Sequence, residues 1–187
     1  MDGEARPASR TLDALPGLDP LLGTLPPSPL PYRATLSDVH DLFVVRAPYR
    51  ESRQRIFDAL QLYAACVWTI LPQAVLWIDG GFASHKDWEA PEDVDVAIVV
   101  DEIDSTIKAQ LVTAGLLTLA RVSARIGDVE LPEFSPLRPM AGLVDSYLVT
   151  RTTRDIYRLQ WSRVRGPNRE IIEGVSKGFL EVGRGNS

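Results

Sequence analysis

The chain has 187 residues, 45% of them hydrophobic, and a formal net charge of −5. This length fits one domain with a short appendage, and the apolar share is sufficient for a hydrophobic core. The longest apolar runs are too short for a membrane span, and the acidic, proline-rich N-terminus lacks the pattern of a signal peptide. Two histidines and a single cysteine, Cys66, argue against a zinc site and an internal disulfide, and they fit a reducing cytosol.

Charge is distributed unevenly along the chain. Residues 1–137 hold 11 basic and 20 acidic residues, whereas residues 138–187 hold 9 basic and 5 acidic residues. A basic C-terminal part suits a phosphate-bearing substrate. A solvated helix face that is rich in arginine is the simpler interpretation of the same pattern.

Residues 1–31 are predicted to form a leader, because they contain seven of the fourteen prolines. This composition is typical of a mobile or extended segment. The leucines between Leu12 and Leu30 leave a second interpretation open, in which the segment docks onto a partner protein or onto its own domain. The predicted domain then covers residues 32–182, and residues 183–187 form a tail.

Two helices are predicted before the first core strand, one from Thr35 to about Val44 and a longer one from Pro48 to Pro72. The first begins with capping-box spacing, and a proline suits the first turn of the second. Apolar residues at helical spacing predict that one face of the longer helix packs on the sheet, while Arg53 and its neighbouring arginines lie off that face.

A glycine pair separates two predicted core strands. Ala74–Asp79 is an apolar run of strand length, Gly80–Gly81 ends it, and a short helix is predicted over Phe82–Lys86. Asp93–Val100 is the second strand. A glycine pair lets backbone N–H groups approach phosphate oxygens, and a helix N-terminus after it would add a favourable dipole. A tight turn that binds no ligand is the alternative.

Two carboxylates open the second strand. Asp93 and Asp95 share one face because side chains alternate along a strand, whereas Val94 and Val96 face the core. Adjacent carboxylates repel each other and raise each other's pKa unless a cation lies between them. Oxygen ligands of this kind suit Mg²⁺. The pair therefore predicts a metal site, with a solvated strand start as the alternative.

The second half of the chain is predicted to contain two helices and two strands. A helix runs from about Asp104 to Ile126 and is followed by a proline-containing loop over residues 127–139. Met140–Val149 is a third core strand. Thr152–Arg165 is predicted to be a helix with a basic side, and Lys177–Val182 is a final short strand.

The glycine pair, the spacer and Asp93-Val94-Asp95-Val96 together resemble the signature of the nucleotidyltransferase superfamily, which has the DNA polymerase β-like fold. More narrowly, Trp77–Phe82 and the lysine that follows resemble a bacterial and phage group of predicted minimal nucleotidyltransferase-like proteins of unsettled activity. The chain departs from the superfamily pattern at Asp79, where an apolar residue is usual, and at Gly81, where many members carry a phosphate-binding serine. The resemblance covers roughly residues 31–182.

The resemblance and the patterns together predict an α/β (α+β) fold with a small, mixed, twisted sheet and helices mainly on one face. The resemblance implies that three carboxylates hold two divalent metal ions, Mg²⁺ or Mn²⁺. These predicted catalytic and metal-binding residues are Asp93, Asp95 and Asp145. The residues predicted to bind the nucleotide are Gly80, Gly81, Ser84 and Lys86. Arg158 or Arg163 is a candidate for balancing charge in the transition state.

Three hypotheses on function follow. The first is a metal-dependent nucleotidyltransferase that moves a nucleotide from an NTP to a hydroxyl of a protein, a tRNA or a small molecule. The resemblance implies a toxin–antitoxin or phage-defence setting for such an enzyme. The second is a catalytically silent binding module of the same fold that acts through a protein partner. The third is a structural protein in which the aspartates only form ion pairs with arginines.

Overall fold

The computed structural model of the chain describes residues 14–119, 125–126, 129–130 and 136–186. The strands found in these residues are β1 (Tyr32–Ala34), β2 (Val75–Asp79), β3 (Val94–Val99), β4 (Arg125–Ile126), β5 (Val129–Glu130), β6 (Val144–Val149), β7 (Arg163–Arg165), β8 (Ile171–Ser176) and β9 (Leu180–Gly183). The α-helices are α1 (Leu36–His40), α2 (Arg50–Ile70), α3 (Ser105–Thr113) and α4 (Arg154–Trp161). One π-helical segment and two short 3-10 segments occupy Asp41–Val45, Met140–Gly142 and Arg184–Asn186.

A five-stranded mixed sheet forms the centre of the protein, in the order β1-β9-β2-β3-β6. Strand β1 is parallel to β9 and β3 is parallel to β6, while β2 is antiparallel to both of its neighbours. Strands β4 and β5, and strands β7 and β8, form two separate antiparallel pairs. The predicted fold class, α+β with a small mixed sheet, is confirmed.

The two faces of the sheet are covered differently because side chains alternate along each strand. Leu76, Val96 and Val144 belong to the larger core, which also contains buried residues of α1, α2 and α3. On the opposite face, Trp77 and Ala97 pack in a smaller core that includes Trp161 of α4 and Phe179. Among the described residues, the helices therefore lie mainly on one face, as predicted, and α4 is the helix on the other.

The predicted capping box of the first helix is confirmed. The Thr35 hydroxyl accepts a hydrogen bond from the Asp38 N–H at 3.0 Å, and the Asp38 carboxylate accepts one from the Thr35 N–H at 2.8 Å. Helix α2 buries the predicted apolar positions, including Ile56, Leu60 and Val67. In the part of the chain that the structure describes, no helix combines the length and the apolar character needed to span a membrane.

Arg53 of α2 is completely buried, although the helical pattern predicts it off the apolar face. Its guanidinium donates to the carbonyls of Pro48 at 2.7 Å, Phe43 at 3.1 Å, Phe82 at 2.7 Å and Ser84 at 2.6 Å. Burial lowers the pKa of Arg53 to about 10, which leaves the side chain charged at neutral pH. Four carbonyl oxygens thus offset the cost of removing this charge from water.

The prediction of a helix over Phe82–Lys86 is wrong. These residues form a turn, and Ser84 makes an isolated antiparallel bridge with Thr24. Phe82 is fully buried in the larger core, and the carbonyls of Phe82 and Ser84 are taken up by Arg53. Because no helix begins after the glycine pair, no helix dipole acts at this turn.

Two other predicted helices are shorter than expected. Helix α3 is capped by Asp104, whose side chain accepts from the Ile107 N–H at 2.8 Å, but it ends at Thr113 rather than near Ile126. Gly115 follows with a φ of 67°, a conformation that favours glycine and stops the helix.

The predicted basic helix over Thr152–Arg165 is also too long. Helix α4 stops at Trp161, and the chain turns into β7, whose middle residue Val164 is buried. Strand β7 pairs with β8, which the sequence pattern did not indicate. Gly166, Pro167 and Asn168, which were predicted to end the helix, lie between β7 and β8 in the turn of this hairpin.

Residues 14–31 pack on the domain, although the sequence places them in the leader. Thr24 and Leu25 are buried, and the Gly178 N–H donates to the Leu25 carbonyl at 3.0 Å. For these residues the interpretation in which the segment docks onto its own domain applies. The rest of the predicted leader, residues 1–13, lies outside the described residues.

We predict that Arg53→Met lowers the free energy of unfolding by about 3 kcal/mol or more, because it leaves buried carbonyls without a donor. The exposed Arg55 of the same helix is the matched control, and Arg55→Met is expected to change stability by less than about 0.5 kcal/mol. Urea unfolding of both variants provides the comparison. Equal losses in the two variants would contradict a structural role for the buried guanidinium.

Candidate functional site

Three aspartates form a row across neighbouring strands of the central sheet. Asp95 of β3 lies directly opposite Asp79 of the antiparallel β2 and opposite Asp145 of the parallel β6. Paired residues on adjacent strands point to the same face, so the three side chains share the face that α4 covers. Asp93 precedes β3 by one residue and belongs to the same alternation. The predicted site residues Asp93, Asp95 and Asp145 are therefore brought together, and Asp79 joins them.

Crowding of these carboxylates changes their protonation. The pKa of Asp95 is raised to about 7 by burial and by the negative charges of Asp79, Asp93 and Asp145. Burial also raises the pKa of Asp93, against the opposing effect of Arg138. Such shifts are typical of sites where like charges are kept close for a purpose.

Two cations partly neutralise the aspartates. The Arg138 guanidinium bridges two of them, with N–O distances of 3.0 Å to Asp93 and 3.4 Å to Asp145. Lys177 forms a buried ion pair with Asp79. Sequence reasoning missed both cations, because Arg138 lies in a proline-flanked loop and Lys177 precedes β9, far from the aspartates along the chain.

Asp145 is almost fully buried, and its two oxygens have different surroundings. Oδ2 accepts a hydrogen bond from the Tyr147 hydroxyl at 3.0 Å and contacts Arg138. Oδ1 is buried without a hydrogen-bond partner among the described residues. An unpaired carboxylate oxygen beside two other carboxylates is an observation that points to a missing positive partner.

The carboxylate oxygens of the aspartate cluster suit a divalent cation in their chemistry. Carboxylate oxygens are the ligands that Mg²⁺ and Mn²⁺ prefer, and the unpaired Asp145 Oδ1 fits that role. Among the residues that the structure describes, however, no three His, Cys, Asp or Glu side chains are arranged as a ready metal site. Arg138 lies between Asp93 and Asp145, so their role as metal ligands stays a prediction.

The glycine pair has a different role at each position. Gly80 has a φ of 85°, and a Cβ atom there would overlap the Asp95 carboxylate. Its N–H also donates to the Asp79 carboxylate, which helps to lower the pKa of that group against the larger effect of burial. Gly81 has no positive φ, and the atom nearest to an added Cβ would be Pro91 Cβ at 3.9 Å. Gly80 therefore makes room for Asp95.

The predicted nucleotide-binding residues Ser84 and Lys86 both line the cleft above the aspartates. Ser84 is buried, and its hydroxyl donates to the Gly81 carbonyl at 2.8 Å, so it stabilises the turn. Lys86 is half-buried, with its ammonium 5.6 Å from the centre of the Trp88 ring. Burial and the nearby Lys177 lower the pKa of Lys86.

The cleft has a volume of about 540 Å³, within the range of nucleotide-sized ligand sites. The aspartates form its floor, and α4 together with the β7–β8 hairpin forms one wall. The basic and aromatic side chains that line it include Lys86, Trp88, Tyr157, Trp161, Arg163, Arg165 and Arg169.

The two arginines predicted to balance charge are separated by the structure. Arg163 lines the cleft, but Arg158 does not. The Arg158 guanidinium lies 5.6 Å from the Trp77 ring centre and forms an ion pair with Asp155 at 3.3 Å. Of the two, only Arg163 is placed where it could meet a ligand in the cleft.

Neither histidine lines the cleft. The His85 ring bonds the Leu42 carbonyl at 2.7 Å, and the His40 ring bonds Gln54 at 3.0 Å, so both stabilise local structure. Burial lowers the pKa of His85.

A family model described as "Family of unknown function (DUF6932)" matches residues 16–183. The chain belongs to this family, which spans the whole central sheet and the cleft. Comparison with curated proteins and with solved structures found no match. The family assigns no activity, so the geometry of the cleft carries the functional argument.

Gly80→Ala is expected to lower the free energy of unfolding by about 2 kcal/mol, because of the positive φ and the overlap with Asp95. Gly81→Ala is the matched control and should change it by less than about 1 kcal/mol. Chemical unfolding of the two variants measures the difference. A control variant that loses as much stability as Gly80→Ala would contradict the distinction between the two glycines.

The raised pKa of Asp95 predicts a stability that depends on pH. Between about pH 4 and 7 the unfolded chain releases this proton while the folded chain keeps it, so the stability falls as pH rises. Asp95→Asn removes this loss, and the variant should gain about 2 kcal/mol over wild type above pH 8 and little at pH 4. Urea unfolding at a series of pH values tests this, with the exposed Asp58→Asn as control. A difference that does not change with pH would show that Asp95 titrates normally.

Proposed function

We propose that the protein is a nucleotidyltransferase that uses a divalent cation to move a nucleotide from an NTP to a hydroxyl acceptor. The observation that supports this most is the convergence of Asp79, Asp93, Asp95 and Asp145 on the floor of a nucleotide-sized cleft. Carboxylates this close together repel each other and destabilise the fold, so their presence is best explained by a function in binding a cation. The resemblance of the glycine pair and the aspartates to the superfamily signature points to the same chemistry.

In this proposal, Asp93, Asp95 and Asp145 hold Mg²⁺ or Mn²⁺. Bound at these carboxylates, a divalent cation would activate the attacking hydroxyl and stabilise charge on the leaving pyrophosphate. Asp95 must release its proton before it can serve as a ligand, because its pKa lies near 7 without a cation. Cation affinity should therefore increase as pH rises through neutrality.

The residues of the chain itself bind and orient the substrate. Tyr157 lines the cleft and offers an aromatic face for a base, while Tyr147 holds Asp145 through its hydroxyl. Arg138 supplies positive charge between Asp93 and Asp145 when no cation is bound. Its contacts are with the Oδ2 atoms of Asp93 and Asp145, so its positive charge would oppose a cation bound at the same carboxylates.

The acceptor is a hydroxyl of a protein, an RNA such as tRNA, or a small molecule. A toxin–antitoxin or phage-defence setting belongs to the proposal through the resemblance alone, and a cytoplasmic location through the single cysteine, Cys66.

A second candidate is a catalytically silent module that binds a protein partner. The observation in its favour is that Arg138 and Lys177 already form ion pairs with three of the four aspartates, so part of the negative charge is offset without a metal. The leader was the expected docking element, but residues 14–31 pack on the domain itself.

The test is transfer of label from each α-³²P-labelled NTP in the presence of Mg²⁺ or Mn²⁺, with cell extract as the source of acceptor. Wild type is expected to label an acceptor, and Asp95→Asn should lose at least about 100-fold of the rate. Asp58→Asn, an exposed carboxylate of α2, is the control and should retain it. Labelling that is equal in all three proteins would rule out transfer at this cleft, and no labelling with any NTP would favour the binding module.

Arg138→Gln is expected to tighten Mn²⁺ binding by about tenfold, because it removes the cation that competes for Asp93 and Asp145. Without metal the variant should also melt at a lower temperature, and Mn²⁺ should restore more stability to it than to wild type. Calorimetric titration and thermal melts measure the two effects. Weaker Mn²⁺ binding in the variant would show that Arg138 supports the site rather than competes with the metal.

A further inference from the structure

The most basic part of the chain borders the cleft. Residues 151–170 contain six arginines and only two acidic residues, in a chain whose net charge is −5. Two of these arginines have acidic partners, since Arg154 pairs with Asp101 at 2.9 Å and Arg158 pairs with Asp155 at 3.3 Å. Both of these pairs lie outside the cleft lining.

Three other arginines line the cleft and belong to the β7–β8 hairpin. Arg163, Arg165 and Arg169 are exposed, and none of them forms an ion pair with a carboxylate in the described part of the chain. The pairing of β7 with β8 shifts in register between Arg163 and Arg165, yet both residues are exposed and both line the cleft. Val164 between them is buried, which anchors the strand while both arginines stay available.

Arg169 has an unusual backbone conformation at the turn of the hairpin. Its φ is 63°, in the left-handed region that glycine or asparagine occupies most readily. Its N–H donates to the Gly166 carbonyl at 3.0 Å, and the Gly166 N–H donates to the Glu170 carbonyl at 2.9 Å, so the turn is well bonded. A long side chain at a position that favours glycine is an unfavourable choice for folding alone, and it points to a use for the guanidinium.

The glycine turn is not free to bind phosphate. The space above Gly80 is filled by the Asp95 carboxylate, and the Gly80 N–H donates to Asp79. Ser84 directs its hydroxyl to the Gly81 carbonyl. Negative charge at this turn repels phosphate, so a phosphate-bearing substrate needs its positive partners elsewhere in the cleft.

We propose that the β7–β8 hairpin is a polyphosphate-binding element, in which Arg163, Arg165 and Arg169 hold the phosphates of the substrate, with Lys86 nearby. Guanidinium groups suit phosphate oxygens because they donate two parallel hydrogen bonds. The assignment deepens the proposed function and rests on it for the identity of the substrate as an NTP. It replaces the glycine turn as the phosphate site.

A compact polyphosphate fits the charge distribution better than a nucleic-acid strand does. The three arginines face a single cleft of about 540 Å³ rather than a long track on the surface. Two of the three arginines of this segment that lie outside the cleft, Arg154 and Arg158, pair with acidic residues, which would repel a nucleic-acid backbone.

Calorimetric titration with inorganic triphosphate, in low salt and without divalent cation, is the direct test. Arg163→Gln and Arg165→Gln should each weaken binding by about tenfold. Arg151→Gln is the matched control, since Arg151 is exposed in the same basic segment but does not line the cleft. It should bind triphosphate as wild type does.

Arg169→Gly separates binding from folding. Glycine suits the left-handed backbone, so the variant should melt at the same temperature as wild type or higher, while triphosphate binds about tenfold more weakly. Unchanged binding in all three cleft variants would overturn the proposal. Tighter binding of a single-stranded RNA 12-mer than of triphosphate, lost in the same variants, would also overturn it, in favour of a nucleic-acid surface.

Failure of this proposal is distinguishable from failure of the proposed function. Asp95→Asn should still bind triphosphate without a cation, because the hairpin is intact. If wild type binds triphosphate at the hairpin but transfers no nucleotide, the polyphosphate site is supported and the proposed enzymatic function is contradicted. Transfer that persists in the arginine variants with unchanged KM for NTP would place the phosphates elsewhere.

Discussion

Four carboxylates repel each other at one end of the central sheet, and the other features of the cleft accommodate this repulsion. Register places Asp79, Asp95 and Asp145 side by side, and the result is a pKa near 7 for Asp95. Arg138 and Lys177 approach from distant parts of the chain to offset the charge. The left-handed Gly80 gives the Asp95 carboxylate its space. A cluster that is destabilising in the absence of a ligand is consistent with a function in binding one.

Much of the site follows from alternation along strands, which the sequence displays directly. Asp93 and Asp95 are separated by Val94, so a strand there puts both carboxylates on one face and the valine in the core, as the structure confirms. Asp145 inside the next apolar run is found in the neighbouring strand, opposite Asp95. Local periodicity was enough for these assignments, because the apolar residues of each strand show by themselves which face of that strand is buried.

The remainder depends on contacts between distant segments, which no local pattern contains. Arg53 was predicted off the apolar face of α2, since a charged residue is normally exposed; four carbonyls that meet only in the folded chain make its burial tolerable. Two of these carbonyls belong to Phe82 and Ser84, which lie in the turn found where a helix was predicted after the glycine pair. Arg163 and Arg165 were predicted at the end of a helix over Thr152–Arg165, because the pairing of β7 with β8 has no short-range signal; Arg169 lay beyond that predicted helix.

The measurement that tests the central claim most directly is the pKa of the Asp95 carboxyl, followed by NMR with ¹³C-labelled aspartate, first without and then with saturating Mg²⁺. We expect a midpoint near pH 7 without Mg²⁺ and a fall of more than about 2 pH units when it is present, because only a bound cation removes the repulsion. A midpoint near 4 in both conditions would show that the carboxylates are not crowded. A midpoint near 7 that Mg²⁺ does not move would keep the cluster but contradict the cation site.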